Sequence, residues 1–343
     1  MEIDNWKIAA KKRNEFLKEV IHPLLPFSSF SSTIQWGTFK NPSNTFHSIL
    51  STKNLFKGSI YELKYNKPLI HFTSLQSLSS ILNDGFFRMS QLGELDDVNE
   101  LGYASRVFEK NSIFDHNKHL IDKSKSQLFC LSACLKTKSV LKDLYMWENY
   151  ADNGNGVMIE FNISDRNAHR FNIGQIKYGD YELQHIKALK KRAEEFYINK
   201  KTFPNNPIEL FSIFKSFHKS SRFKKEKEVR ILYASSEFNP KEPFEANSFE
   251  KPITMYQDIN RKNQVIYFNK IFLAGKSPFP NSDTSIFPEI TIKSVTLGYN
   301  FDFNEIIELG KYFNNIQGYN FKIYQLDYEL NLINLMPFFK KLN

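Results

Sequence analysis

The sequence predicts an α+β protein: a mixed or split sheet with helices packed on it, preceded by a helical N-terminal extension. Three stretches carry that expectation. Pro68 to Gly85 changes period midway, from alternation to helical spacing. Leu128 to Leu135 is short, apolar and bounded by polar segments, the pattern of a buried strand. Ile290 to Leu326 reads strand, helix, strand, the order of a small crossover unit.

At 343 residues the chain can bury a large core. No repeat and no second-domain boundary stands out, so the division is a helical or irregular extension over 1–60 and one α+β domain over 61–343. Within the extension, Asp4 can cap a helix carrying Ile8, Phe16, Leu17, Val20 and Ile21, which Pro23 and Pro26 end. Ser28 to Thr33 is a loop by composition.

The domain opens with the strand Leu69 to Thr73. Leu69, His71 and Thr73 point one way, Ile70 and Phe72 the other. Leu75, Leu78, Ile81 and Leu82 then mark a helix, with Thr73 and Gln76 as a capping box and Gly85 as the stop. Phe87 to Ser90 is a short second strand, and Gln91 to Glu100 an acidic loop leading into a helix. After the strand 128–135, a helix from Ser139 to Tyr150 leads through the Gly- and Asn-rich turn 151–156 into the strand Val157 to Phe161. One or two amphipathic helices occupy 183–220, strand returns from Phe223 to Tyr233, and Val265 to Gly275 is the apolar piece of a polar stretch.

The chain carries 46 Lys and Arg against 37 Asp and Glu, a net charge of +9. That balance is compatible with a nucleic-acid or nucleotide-phosphate partner, though too diffuse to demand one. The 33 Phe and 16 Tyr alongside 13 Gly, with abundant Lys, Asn and Ile, read first as the mark of an A+T-rich coding sequence. No apolar run is long enough to span a bilayer, and the N-terminus lacks a secretory pattern. Cys130 and Cys134 lie about 13 Å apart along one strand, too far for a mutual disulfide. The cytoplasm is the simplest compartment.

Several fragments have chemistry to offer. His71 ends a strand beside a fresh helix N-terminus, whose unpaired N–H groups favour an anion. Cys130, Ser132 and Cys134 share one strand face. Trp147 and Tyr150 share a helix face. Alternation puts Glu226, Glu228 and Arg230 on one face of the 223–233 strand, where two like charges would raise the pKa of one carboxyl. Taken singly, each fragment has a plainer explanation: a core histidine, core aromatics, an exposed charged strand. Asp96, Asp97 and Glu100 read as charges favoured at a helix start. His116 and His119 have helical spacing but no further ligands, so no metal is expected. Cysteines in a buried strand are poor nucleophiles, and neither standard Gly-rich phosphate loop is present.

The order of these fragments resembles the bacterial domain-of-unknown-function 2971 family. The matching pieces are Ile70-His-Phe-Thr-Ser74, Phe129-Cys-Leu-Ser132, Met146 to Asp152, Gly156 to Phe161 and Phe223 to Arg230, spanning about 65–298. Phe223 and Val229 stand where the family pattern has tryptophans. More distantly, the order is similar to that of the ADP-ribosyltransferase superfamily, with its split sheet. That resemblance implies NAD as co-substrate and cleavage of the nicotinamide–ribose bond, with transfer to a nucleic-acid or protein acceptor. It would make Glu228 catalytic with Glu226 in support, set His71 on the adenine-side ribose and Thr73 near the nicotinamide amide, and place Ser132 by that ring. Tyr150, with Trp147, would stack on it. Arg230 would support the acids. By family-level analogy the role is a toxin or phage-defence effector. The alternatives are a non-catalytic nucleotide- or nucleic-acid-binding module using the same cleft, and a scaffold in which Glu226, Glu228 and Arg230 form a structural ion network. The N-terminal extension is a candidate surface for a protein partner.

Overall fold

The structure, a computed structural model, describes residues 2–30, 45–46, 50, 55–63, 68–94, 101–107, 125–164, 171–204, 207–234, 256–259, 265–276, 288–315 and 320–339. Helix α1 (Glu2–Phe16) runs into a π turn at Leu17–Ile21, and strands β1 (Thr45–Phe46) and β2 (Leu69–Thr73) follow. Next come α2 (Leu75–Asp84), β3 (Phe86–Gln91), α3 (Gly102–Ser105) and β4 (Leu128–Leu135). Helices α4 (Lys138–Leu141) and α5 (Leu144–Tyr150) precede β5 (Val157–Ile163), β6 (Phe171–Gln175) and β7 (Lys177–Tyr178). The chain continues with α6 (Leu183–Lys200), β8 (Phe203–Pro204), α7 (Pro207–Lys215) and β9 (His218–Lys219). Strands β10 (Glu228–Ala234), β11 (Tyr256–Ile259), β12 (Val265–Phe272) and β13 (Ile290–Leu297) lead to α8 (Phe303–Asn315). The last elements are β14 (Lys322–Leu326), β15 (Leu332–Asn334) and α9 (Met336–Phe339).

Eleven of these strands make one mixed sheet with a fork in it. Its trunk is β6–β10–β4, with β10 antiparallel to both neighbours. On the other edge of β4 the partner changes. β3 pairs with Phe129 and Cys130, whereas β2 pairs with Cys134 and Leu135. One branch continues β3–β12–β11, and the other β2–β5–β13–β14–β15. The crossover β13–α8–β14 joins the sheet's one parallel pair among the described residues; the rest are antiparallel. The strand–helix–strand reading of the C-terminal region therefore describes this unit well.

Alternation divides the core. Leu69, Phe129, Leu131, Ile159, Val229 and Ile231 face a layer containing Leu78, Ile81 and Leu82 of α2 and Ile306 and Phe313 of α8. The opposite face holds two separate clusters. Leu128, Cys130 and Leu232 meet Phe16, Val20 and Ile21 from the N-terminal segment and Ile186, Leu189 and Phe196 of α6. Ile70, Phe72, Cys134 and Met158 meet Met146 and Trp147 of α5. Between those two clusters, on the same face, alternation places Ser132, Glu228 and Arg230.

Several local expectations need correction. Ser74, not Thr73, caps α2: its hydroxyl accepts from the Ser77 N–H at 3.1 Å, and no Thr73–Gln76 box forms. Thr73 is still in the strand, paired with Val157, so its backbone is committed to the ladder. Gly85 does end the helix in the left-handed region, at φ 75°. Asp4 lies inside α1 rather than at its cap. The helix expected over 139–150 is broken, because Thr137 and Asp143 each cap a short helix of their own. Strand structure begins at Glu228, not Phe223. Residues Ser221–Glu226 form a 3-10 turn, and Lys227 leaves it in the left-handed region at φ 48°. Glu226 is therefore not on the strand with Glu228 and Arg230. Asp96, Asp97, Glu100, His116 and His119 lie outside the described residues.

Candidate active site at the fork of the sheet

The trunk of the sheet positions the site. Antiparallel pairing sets Arg230 opposite Ser132 and Glu228 opposite Cys134. The Ser132 hydroxyl donates to Glu228 Oε1 at 2.7 Å, and Arg230 Nε donates to the same oxygen at 2.9 Å. Arg230 Nη1 also donates to the Ser216 carbonyl, which anchors the guanidinium to the end of α7. Arg230 is 0% exposed and Glu228 3%, so this pair is deep in the protein. Ser132 beside it is exposed.

Glu226 reaches the same point from the 3-10 turn. Lys219 Nζ lies 3.0 Å from Glu226 Oε2 and 2.8 Å from Glu228 Oε2, bridging the two acids. Tyr150 donates its hydroxyl to Glu226 Oε1 at 2.7 Å, and Tyr178 OH accepts from the Glu228 N–H at 2.8 Å. Cys134 donates its thiol to the Glu226 carbonyl at 3.0 Å.

These contacts decide the ionisation. Burial pushes the Glu228 carboxyl up, but Arg230 and Lys219, with the Ser132 hydroxyl, outweigh it and hold the group below the ordinary carboxylate range. The like-charge repulsion expected from the spacing is met by Arg230 and Lys219, which hold Glu228 down, and Lys219 bridges the two acids. Burial, then the Glu226 hydrogen bond, pushes the Tyr150 phenol up, so it is a proton donor at neutral pH. Burial and the acids push the Cys134 thiol up to about 12, which leaves it protonated and inert.

His71 sits at the crotch of the fork. Its Nδ1 is 2.8 Å from the Ser132 carbonyl, in the stretch of β4 where β2 and β3 have diverged. Its ring meets Phe87 of β3 edge-on, with centroids 5.8 Å apart. The ring thus spans both branches and supplies a partner to a carbonyl at the divergence. Burial lowers its pKa, favouring the neutral ring. His71 joins the acids through the Ser132 backbone rather than by a side-chain contact.

The structure separates Trp147 from this group. It is 0% exposed, donates its indole N–H to the Leu141 carbonyl at 3.1 Å and meets Phe72 edge-on. With both faces enclosed it is a core residue. Tyr150, by contrast, is 40% exposed. Thr73 closes β2 half-buried, and among the described residues no side-chain hydrogen bond ties it to the acids. Lys219 and Tyr178 escaped the sequence reading because a parallel pairing of β7 and β9 brings them in, and no local spacing signals such a contact.

Among the described residues no group of three or more His, Cys, Asp and Glu side chains forms a metal site. No helix among them is long and apolar enough to cross a membrane.

Fold and site together define an α+β protein with a forked mixed sheet and a buried ion network beside one exposed serine. Residues 146–231 match the family model described as a protein of unknown function (DUF2971). The matched stretch holds Trp147, Tyr150, Glu226, Glu228 and Arg230, and begins after His71 and Ser132. No significant match is found among curated proteins or among solved structures.

Proposed function

We propose that this site binds NAD as co-substrate and cleaves its nicotinamide–ribose bond, passing the ADP-ribosyl group to a nucleic-acid or protein acceptor in the manner of an ADP-ribosyltransferase. One observation carries the reading: the solvent-facing Ser132 hydroxyl is hydrogen-bonded to an ionised, buried Glu228, at the fork that His71 spans. Bond cleavage sends the C–N electron pair out with nicotinamide and leaves oxocarbenium character on the ribose, as in glycoside cleavage. A fixed carboxylate one hydrogen bond behind Ser132 stabilises that developing positive charge. Tyr150 offers its exposed ring to the planar leaving group, while Trp147 supports its helix from the core. His71 acts by holding Ser132 in place.

A second reading has its own observation. Lys219 and Arg230 neutralise Glu226 and Glu228, which weakens their field on a cation and suits a non-catalytic nucleotide-binding module on a structural ion network. Nicotinamide release from NAD by the wild type and by Glu228→Gln separates the two. The enzyme reading expects release that the substitution abolishes while NAD binding persists. No release with or without nucleic acid and cell lysate, together with no NAD binding by calorimetry, would falsify it.

A further inference from the structure

The turn that carries Glu226 into the site has a second surface. Residues 222–227 contain four cations, Arg222, Lys224, Lys225 and Lys227, all exposed, and a single acid, Glu226, which is buried. A 3-10 turn has three residues per turn, so side chains three apart stack along one edge. Phe223 and Glu226 occupy the edge turned inward, where Lys219 contacts both. Arg222 and Lys225 fall on a second edge and Lys224 on the third, while Lys227 follows the turn in the left-handed region. At a rise of roughly 2 Å per residue, cations on one edge stand about 6 Å apart. That is the scale separating successive phosphates of an extended strand.

The cations are interleaved with rings. The Arg222 guanidinium lies over Phe223 at 4.5 Å, and Lys225 Nζ over Tyr145 at 5.4 Å. Tyr145 meets Tyr150 at 6.3 Å, and Tyr150 reaches Glu226. A chain of contacts therefore runs from Lys225 across two tyrosines to Glu226. Asp143, which caps α5, lies 3.8 Å from Lys227 and pairs with it, so the surface rests on Arg222, Lys224 and Lys225.

We propose that the outward side of the 221–227 turn, with Tyr145 and Tyr150, is a docking surface for single-stranded nucleic acid. Phosphates would follow the exposed cations of the turn, and unpaired bases would find ring faces, a pairing of groups that suits single strands rather than duplex. As the acceptor class for the proposed transferase, the strand rests on that reading. As a binding surface it stands apart from it, because binding is measured with no NAD present.

The measurement is fluorescence anisotropy of a dye-labelled oligothymidine across a salt series, on the full chain. Three neutralised phosphates predict a slope of log affinity against log salt of about −2. Lys224→Gln with Lys225→Gln should lower affinity about fivefold or more and flatten the slope by about 1.4, while a control pair, Lys187→Gln with Lys191→Gln, leaves both unchanged. Three results would each overturn the proposal: no binding at about 50 mM salt, tighter binding of a duplex, or equal competition by polyglutamate. So would an unchanged affinity and slope in the Lys224 and Lys225 pair. Nucleic-acid binding with neither nicotinamide release nor NAD binding would sink the enzyme reading and leave this surface standing.

Discussion

Glu228 and Arg230 sit two apart on a strand, a spacing that suits an exposed charged face, yet both are buried. Such a pair tolerates burial only when every lone pair and proton finds a partner, because an unpaired charge in the interior costs several kcal/mol. Here Ser132 and Lys219 partner the carboxylate, and the Ser216 carbonyl accepts from the guanidinium. His218, beside Lys219, is under the opposite stress. It is 1% exposed, and its Nδ1 pairs with the Phe214 carbonyl. Burial, aided by His185 and Lys177, lowers its pKa to about 4. The unfolded chain takes up this proton near pH 6.5, the folded one only near 4, so between those values the unfolded state binds more protons. Stability should fall as pH falls through that window, by up to about 3 kcal/mol. Glu228, whose pKa is lowered on folding, adds a further loss below about pH 4.5. Urea titrations across pH 7 to 4 check this, and His218→Gln should flatten the upper part; an unchanged upper limb would contradict the assignment.

At the scale of elements, the turn between α5 and β5 is the most demanding piece of backbone. Gly154 is held at φ 86° against the Tyr299 ring, and a methyl on Gly156 would collide with the Thr73 and Ala151 backbone. A methyl on Gly298 would meet the Gly154 carbonyl. The N–H of Gly298 bonds to Gly156 at 3.0 Å, and that of Asn300 to Gly154 at 3.2 Å, so the end of β13 is clamped to the turn. This clamp holds the C-terminal end of α5, and with it Tyr150, against the sheet. Gly298→Ala should cost about 1–3 kcal/mol by overpacking, read as a lower urea midpoint. Gly102→Ala, where an added methyl meets nothing, serves as the neutral control. Equal midpoints for the two variants would show that the clamp gives way.

Across the whole molecule, the N-terminal segment is part of the core layer and not a loose addition. Phe16, 1% exposed, packs edge-on against Phe196 of α6 with centroids 5.2 Å apart, and Lys200 reaches Glu15 at 3.2 Å. That cluster continues to Leu128, Cys130 and Leu232 of the trunk, the strands that carry Ser132 and Arg230. Phe16→Ala should therefore cost about 3–5 kcal/mol and shift the unfolding of the entire sheet, seen as one lowered transition by circular dichroism. Loss of helix alone, with the sheet transition unmoved, would mark the segment as separable.

What the sequence determined by itself was local. The periods of β2, α2, β4, β5 and the terminal crossover unit are written in the spacing of apolar residues, and Gly85 and the 151–156 turn in residues suited to unusual backbone. His71, Ser132, Tyr150, Glu226 and Glu228 were legible as candidates because their types and order are unusual for strands and helix ends. Tertiary structure decided the rest. It moved Glu226 off the strand yet returned its carboxylate to Glu228, brought Lys219 and Tyr178 from distant strands, enclosed Trp147 and left Ser132 open. The physical reason is that side-chain period depends on neighbours along the chain, whereas ionisation and burial depend on neighbours in space. Lys219, eleven residues before Arg230 and on a different strand, reverses the charge logic of two acids whose spacing alone predicted repulsion.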